Sequence, residues 1–319
     1  MKYLTPFFSL LLITLFLSCH DSSKENSSFS VVNPSASSGT NVPTKLDDYW
    51  YQGKAEINSY DLQQARYRDI HPGEAVLVFV TEDFLTDKQV KNDTYTNKNS
   101  TSVLKTNFMR KFTTGIYDYS IMTSVFTPVD TEKHPKTMKV TMSSQDWCGQ
   151  SFMQINQKNS KYRAELRSYF EKEGDKDFSM AGAILEDEIF NRIRMNPDKL
   201  PTGNTQMIPS TTVARLVHFK LQPMNVKITK EPYNGSDFSG AKLTSYTIEY
   251  PSLNRTLSIV YQNKTPYLIE GWTDTYPNGS GQPMTTIAKR KETLVSPYWQ
   301  QNGKREVAKR TDLGLITFE

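Results

Sequence analysis

The sequence predicts a mainly β protein, in which an antiparallel curved sheet or partial barrel has one helix packed on it. Most segments after residue 45 alternate apolar and polar residues, which is the period of a half-buried strand. Turn dipeptides divide the C-terminal half at roughly 10–15 residue intervals, as in an antiparallel meander. Tyrosine (17 residues) and phenylalanine (16 residues) are abundant, and aromatic residues favour strands.

Residues 7–17 form an apolar segment, and Lys2 is the only charged residue before it. This segment is shorter than the roughly 20 residues that a membrane-spanning helix needs. A basic residue, a short apolar stretch and then a small residue are typical of a secretion signal, here residues 1–18. The string that ends in Ser18-Cys19 resembles the bacterial lipobox, which implies that Cys19 is lipidated. The alternative is an ordinary signal peptide in which Cys19 has no such role.

A lipidated Cys19 implies a membrane partner, because buried acyl chains hold a protein at a bilayer. Residues 19–45 are rich in serine and predict a flexible tether. His20 stands where an aspartate often retains such proteins in the inner membrane, which favours the outer membrane of the cell envelope. Residues 46–319 then form one β-rich globular domain. The net charge of +4 is too small, and its basic residues too dispersed, to indicate a nucleic-acid partner.

Individual strands follow from the alternation. Residues 75–80 are apolar throughout, which predicts a strand buried on both faces. Further strands are predicted at residues 138–142, 151–155, 162–170, 213–219, 246–250, 257–261 and 267–271. The dipeptides Asn234-Gly235 and Asn302-Gly303 predict hairpin turns, since both residue types tolerate positive φ.

The helix is predicted over residues 184–196. Its apolar side chains recur four residues apart at Leu185, Ile189 and Ile193. Carboxylates occupy the first turn and arginines the last, as the helix dipole favours, and Pro197 ends it. The apolar stripe is narrow, so we expect the opposite face of this helix to be exposed to solvent.

The most unusual string is residues 143–150 (SSQDWCGQ), which joins two predicted strands. A lone Cys148 beside Asp146 could act as a nucleophile if a histidine served as its base. The candidate bases are His71 and His134, predicted in turns, and His218, predicted in mid-strand. Free cysteine is, however, among the most buried residue types, so we expect Cys148 to pack in the core.

The other candidate site residues can also be interpreted without a functional role. Glu82 and Asp83 follow the buried strand and could line the mouth of a carboxylate site, although solvated strand-end charge is the favoured interpretation. Trp147, Trp272 and Trp299 could stack on a glycan or peptide, but the favoured interpretation is that they fill the core of the sheet. No metal site and no cofactor are expected, since histidines and cysteines lack metal-ligand spacing and nucleotide-binding loops are absent.

Four strings look like those of a family of Bacteroidetes lipoproteins: residues 48–57, 78–84, 114–128 and 144–149. The resemblance covers nearly all of the chain after the tether. Members of that family are often labelled septum formation inhibitor Maf. Maf proteins proper are cytoplasmic nucleotide pyrophosphatases with a Ser-x-Ser-Pro-Arg-Arg motif, which is missing here, so no catalytic residue is carried over. The resemblance implies an envelope lipoprotein without an established activity.

The sequence therefore predicts a membrane-anchored envelope lipoprotein with a binding or structural role, whose partner is an envelope protein or a glycan. The alternative is an envelope hydrolase that uses Cys148 or a carboxylate pair. Nucleotide hydrolysis, which rests on the family label alone, is the least favoured hypothesis.

Overall fold

The computed structural model describes residues 46–317. The predicted signal segment, Cys19 and the tether lie outside the described residues. The described residues belong to one compact unit, and a single sheet runs through it.

The sheet has fifteen strands among the described residues. They are β1 (Ala55–Arg66), β2 (Asp69–Leu85), β3 (Ser100–Thr114), β4 (Tyr117–Pro128), β5 (Lys139–Asp146), β6 (Gly149–Lys158), β7 (Lys161–Ser168), β8 (Lys176–Ala181), β9 (Ile184–Leu185), β10 (Gly203–Ile208), β11 (Met224–Pro232), β12 (Leu243–Tyr250), β13 (Arg255–Gln262), β14 (Ile269–Pro277) and β15 (Pro283–Ser296). The predicted mainly β, curved antiparallel architecture is confirmed.

The strand order is β8-β7-β6-β5-β4-β3-β2-β1-β15-β14-β13-β12-β11-β10-β9. Neighbours are antiparallel except for β9 and β10, which are parallel. Two meanders therefore run side by side: the first is β1–β8, and the second is β10–β15 with β9 at its edge. The pairing of β1 with β15 joins them, from Ala55 opposite Ser296 to Gln63 opposite Ile287. This pairing connects residues far apart in the chain, whereas every other strand pairing in the described sheet joins consecutive strands.

Three short α-helices accompany the sheet: α1 (Ile189–Met195), α2 (Thr211–Val217) and α3 (Ala308–Asp312). The 3-10 turns are Asp48–Tyr51, Glu186–Glu188, Pro197–Lys199, Pro251–Leu253, Tyr298–Gln300 and Lys304–Val307. The main hydrophobic core covers one face of the sheet, which we call the inner face, and includes residues of α1 and α2. A smaller cluster lies on the other side, the outer face, beneath α3.

Side chains of strand β2 belong to both hydrophobic clusters. Ala75, Leu77 and Phe79 contribute to the main core, and the residues between them pack on the outer face. The predicted strand with two buried faces is therefore confirmed.

The predicted helix at 184–196 is shorter than expected. Its first residues form β9 and a 3-10 turn, and α1 begins at Ile189. The expected exposed face is wrong, because Asn191 and Arg194 are buried together with the apolar residues. Polar groups of the sheet satisfy them: Asn191 Nδ2 donates to Leu104 O at 2.8 Å and to Thr127 Oγ1 at 3.0 Å.

The predicted strand at 213–219 is also wrong, since most of it belongs to α2. Asp187 accepts hydrogen bonds from the backbone N of Thr211 at 3.0 Å and from its hydroxyl at 2.8 Å, which satisfies a free donor at the start of the helix. His218 ends α2 in the left-handed region with φ 60°, and so does not lie in mid-strand.

Two other local predictions need correction. His71 lies within β2, not in a turn. Asn302-Gly303 separates two 3-10 turns after the last strand and closes no hairpin, whereas Asn234-Gly235 does lie between β11 and β12.

Candidate functional site

Residues 143–150 form the end of β5, a two-residue turn and the start of β6, with Asp146 paired to Gly149. The turn consists of Trp147 and Cys148, and both side chains are exposed. The expectation that Cys148 packs in the core is therefore wrong. The reason is local: Asp146 Oδ1 accepts a hydrogen bond from Cys148 N at 2.8 Å, which holds the pair at the tip of the hairpin.

Within residues 46–317, the structure does not assemble a base and an orienting group around Cys148. Asp146 faces the buried Arg215, with Oδ2 3.5 Å from Nη2. His218 Nδ1 lies 2.6 Å from Glu173 Oε1, and His71 Nε2 lies 3.2 Å from Arg66 O. The hydrolase hypothesis thus receives no geometric support from this cysteine.

The remaining predicted residues are scattered. Trp272 is fully buried in the main core, as the favoured interpretation predicted, while Trp299 is exposed beyond β15. Glu82 pairs with Lys105 at 3.0 Å, and Asp83 Oδ2 accepts a hydrogen bond from Asn92 Nδ2 at 2.6 Å. These two carboxylates stabilise the C-terminal end of β2 and the loop that follows it.

The densest cluster of charged side chains was missed by the sequence analysis and is buried. Arg255 of β13 donates to both carboxylate oxygens of Glu186, at 2.6 and 2.7 Å, and to those of Asp274, at 2.7 and 3.0 Å. Burial raises the pKa of Asp274, which Arg255 partly offsets, and burial also raises the pKa of Asp187 nearby. The only hint in the sequence was the run of acids at 186–188.

This charge cluster has a structural role and is not an open binding site. The adjacent cavity, lined in part by Arg110, Asp187 and Asp274, has a volume of about 20 Å³. That is room for about one water molecule. The guanidinium of Arg110 stacks 4.4 Å from the ring centre of Phe108, and burial lowers its pKa. No substrate fits here, so the cluster serves to hold the 3-10 turn at Glu186–Glu188 against β13 and β14.

An open cleft lies instead on the outer face. After β15 the chain returns across β1, β2 and β3 as residues 297–317, which we call the strap. Ile316 N donates to Glu74 Oε1 at 2.7 Å, and Lys291 Nζ donates to Gly314 O at 2.6 Å. Leu313 is buried against the sheet. The strap is thus attached near its C-terminal end.

The cleft between the strap and the sheet, the strap cleft, has a volume of about 490 Å³. Its walls are mainly apolar. The sheet contributes Ile57, Val76, Val78, Met109 and Leu294, and the strap contributes Tyr298, Val307, Leu313 and Leu315. A concave, mostly apolar cleft of this size with a few polar groups is the usual form of a small-molecule site.

Charged groups surround the strap cleft, and most of them are already engaged. Glu74 binds the strap backbone, Arg310 donates to Ile316 O at 2.7 and 2.9 Å, and Lys309 pairs with Glu306. Lys111 is exposed, and its side chain makes no hydrogen bond or ion pair with other residues of the 46–317 range. Nothing in the sequence placed these residues together, because the strap approaches β3 only in the folded chain.

No helix within residues 46–317 has the length and apolarity needed to cross a membrane. The same residues contain no group of three or more His, Cys, Asp or Glu side chains that could hold a metal ion.

Comparisons with known proteins give little further information. No family model matches the chain, and no curated protein does. A solved structure of a beta-barrel-like protein of a domain of unknown function (DUF1849) from Brucella abortus is similar, with 11% identity and a TM-score of 0.47, over 76% of this chain and 98% of that one. The function of that domain is itself unknown, so nothing about the role of this chain follows from the likeness.

Proposed function

We propose that this chain is a lipid-anchored binding protein of the cell envelope, whose ligand is an elongated apolar molecule with an anionic group. The observation that carries the proposal is the strap cleft, with its volume of about 490 Å³ and its mainly apolar walls. The N-terminal apolar segment and Cys19 support the anchor, and the string that contains them resembles a lipobox.

The apolar part of the ligand follows from the walls of the strap cleft. Val76, Val78 and Met109 are contiguous on β2 and β3, since Val76 pairs directly with Met109. An acyl chain or a comparable hydrocarbon that covers this strip would remove its apolar surface from water, which is worth roughly 25 cal/mol per Å². A sugar or a highly charged ligand would gain little here.

The anionic part follows from Lys111. It lies on β3, two residues beyond Met109, and lines the strap cleft. Because the other charged groups of the strap cleft are engaged with the strap, Lys111 is the group that is available to a carboxylate or phosphate. A single exposed ion pair contributes little to affinity and mainly orients the ligand.

The test measures binding of a fluorescent fatty acid to the purified chain, followed by displacement with unlabelled amphiphiles. Met109→Trp fills the strap cleft and should abolish saturable binding. Met122→Trp is the matched control, because Met122 pairs with Met109 on the neighbouring strand but does not line the strap cleft. Lys111→Gln should weaken the binding of a fatty acid more than the binding of the corresponding alcohol.

Equal binding by the Met109→Trp and Met122→Trp variants would place the ligand elsewhere and overturn the proposal. So would the absence of saturable binding for every amphiphile tried. Circular dichroism and thermal unfolding of both variants show whether a loss of binding reflects the strap cleft or a loss of the fold.

A further inference from the structure

Four turns of the first meander lie at one end of the sheet. Consecutive antiparallel strands place alternate turns at the same end, so the β1–β2, β3–β4 and β5–β6 turns and the β7–β8 connection are neighbours. The first three are two-residue turns, closed by the pairs Arg66–Asp69, Thr114–Tyr117 and Asp146–Gly149.

Each of these turns exposes one large apolar or aromatic side chain. The exposed fractions are 47% for Tyr67, 82% for Ile116, 69% for Trp147 and 67% for Tyr169. We call these four residues the aromatic rim. The turns touch one another: the hydroxyls of Tyr67 and Tyr117 are 2.8 Å apart, and a Cβ added to Gly149 would lie 2.7 Å from the ring of Tyr169.

The turns of the second meander at this end are different. The β12–β13 turn contains Ser252 and Asn254, and the β14–β15 turn consists of residues 278–282 (NGSGQ). In the β10–β11 connection only Val217, with an exposed fraction of 37%, is comparable, so most of the exposed large apolar side chains among the described residues at this end belong to the first meander. A contiguous exposed patch of this kind marks an interaction surface.

The rim is also held in place. Tyr67 adopts φ 58°, a left-handed conformation that non-glycine residues rarely occupy. The guanidinium of Arg66 lies 4.2 Å from the centre of the Tyr67 ring, and Tyr119 Oη lies 2.8 Å from its hydroxyl. These contacts keep the ring at the tip although the backbone conformation is unfavourable.

We propose that the aromatic rim docks the protein on the surface of a lipid bilayer. The rim is a row of protruding tips, which suits insertion between lipid headgroups. Tryptophan and tyrosine favour the membrane–water interface, where one end of the ring is apolar and the other is wet. Exposed charges of both signs, such as Arg68 and Asp69, flank the tips and match zwitterionic headgroups.

The predicted tether permits this orientation. Residues 19–45 span at most about 90 Å when fully extended. Strand β1, with 12 residues, leads from the tether end of the domain to the rim and is about 40 Å long. A chain anchored at Cys19 can therefore bring the rim to the same membrane, although rim docking does not itself require the anchor.

The experiment uses residues 20–319, which contain the whole compact unit, and vesicles of phosphatidylcholine and phosphatidylethanolamine with or without brominated acyl chains. Trp147 lies on the rim, whereas Trp299 follows β15 at the opposite end of the sheet. Trp50 and Trp272 are buried and give a constant background. In the Trp299→Phe variant, vesicles should shift the emission to the blue, and brominated lipid should quench it.

The matched variant Trp147→Phe retains Trp299 as its exposed reporter and should show neither effect. The double variant Ile116→Ser, Trp147→Ser should reduce co-sedimentation with vesicles by about tenfold or more, while Trp299→Ser should not change it. Both substitutions of the double variant replace exposed side chains, so the fold is retained, which thermal unfolding checks.

Quenching that persists in Trp147→Phe, or co-sedimentation unchanged in the double variant, would overturn the proposal. A response of Trp147 to soluble envelope glycans but not to vesicles would assign the rim to a glycan and also overturn it. Neither result would affect ligand binding in the strap cleft, so the two proposals fail independently.

Discussion

Glu56 and Arg194 form a buried ion pair that attaches α1 to β1. Arg194 Nη2 donates to Glu56 Oε2 at 2.5 Å, and Asn58 Nδ2 donates to Glu56 Oε1 at 2.7 Å. The guanidinium also lies 5.1 Å from the ring centre of Trp50. Burial by itself would raise the pKa of Glu56, but Arg194 and the hydrogen bonds hold it below its ordinary value.

Replacement of Glu56 by Gln should destabilise the fold by about 3 kcal/mol at pH 7, since it leaves a buried arginine without its counter-charge. A depressed carboxyl pKa in the folded state contributes stability above the ordinary value of 4.5, and this contribution is lost as pH falls through the folded-state pKa. The difference between the variant and the wild type should therefore shrink in acid. Denaturant unfolding at pH 7 and at acid pH measures it.

Asp61→Asn is the matched control, because Asp61 lies on the same strand and its carboxylate is largely exposed beside Lys291. Its stability should stay within about 0.5 kcal/mol of the wild type. A loss for Glu56→Gln as small as that would mean that the ion pair contributes nothing.

Cys148 shows the limit of residue statistics. Free cysteines are usually buried, but this one lies in a two-residue turn, where both side chains must point away from the sheet. The statistical preference describes an average position, whereas turn geometry decides this one. The sequence would have predicted this turn only if the end of β5 and the start of β6 had been assigned to the exact residues.

At the scale of the element, the packing of β14 requires a glycine at position 271. Gly271 lies where a Cβ would be 2.1 Å from Ala288 O of β15 and 2.3 Å from the ring of Phe238. The sequence marked residue 271 only as a member of an alternating run. The packing of Phe238 over the strand, which the sequence does not reveal, is the reason that no side chain fits.

Gly271→Ala should cost about 2–3 kcal/mol, because neither the β15 backbone nor the buried ring can move away without disturbing its own neighbours. Thermal or denaturant unfolding measures the change. Gly279→Ala in the β14–β15 turn is the control, since a Cβ there meets nothing within 4 Å. Equal stability of the two alanine variants would show that β14 relaxes freely.

Helix α2 shows why an element was assigned wrongly. Val213, Leu216 and Val217 fit a helical period, while Val213, Arg215 and Val217 fit the strand period, and so short a run does not distinguish them. The bonds from Thr211 to Asp187, an acid 24 positions earlier, favour the helix. A cap supplied from another element is invisible to local patterns.

At the scale of the molecule, the continuity of the sheet depends on β15. This strand pairs with β1 on one side and β14 on the other, so it joins the two meanders. The strap that follows it adds contacts on the outer face but no strand pairing. The last part of the chain therefore has two distinct roles, one in folding and one in forming the strap cleft.

A chain that ends at Gln282 should fail to unfold cooperatively, because β1 and β14 each lose one of their two neighbouring strands and the two meanders are no longer joined. A chain that ends at Gly303 keeps every strand pairing and should still unfold cooperatively, while it loses binding in the strap cleft. Denaturant titration followed by circular dichroism distinguishes the two truncations. Cooperative unfolding of the shorter chain would show that the first meander folds without β15.

The sequence by itself determined the β class and the positions of most strands, because alternation is a local consequence of strand geometry. It also contains the N-terminal pattern on which the proposed anchor rests. Tertiary structure alone decided the order of the strands, the burial of Glu56, Glu186 and Arg194, the helix at Thr211 and the strap cleft. Each of these depends on which distant segment packs on which face, and the period of one segment carries no record of its neighbours.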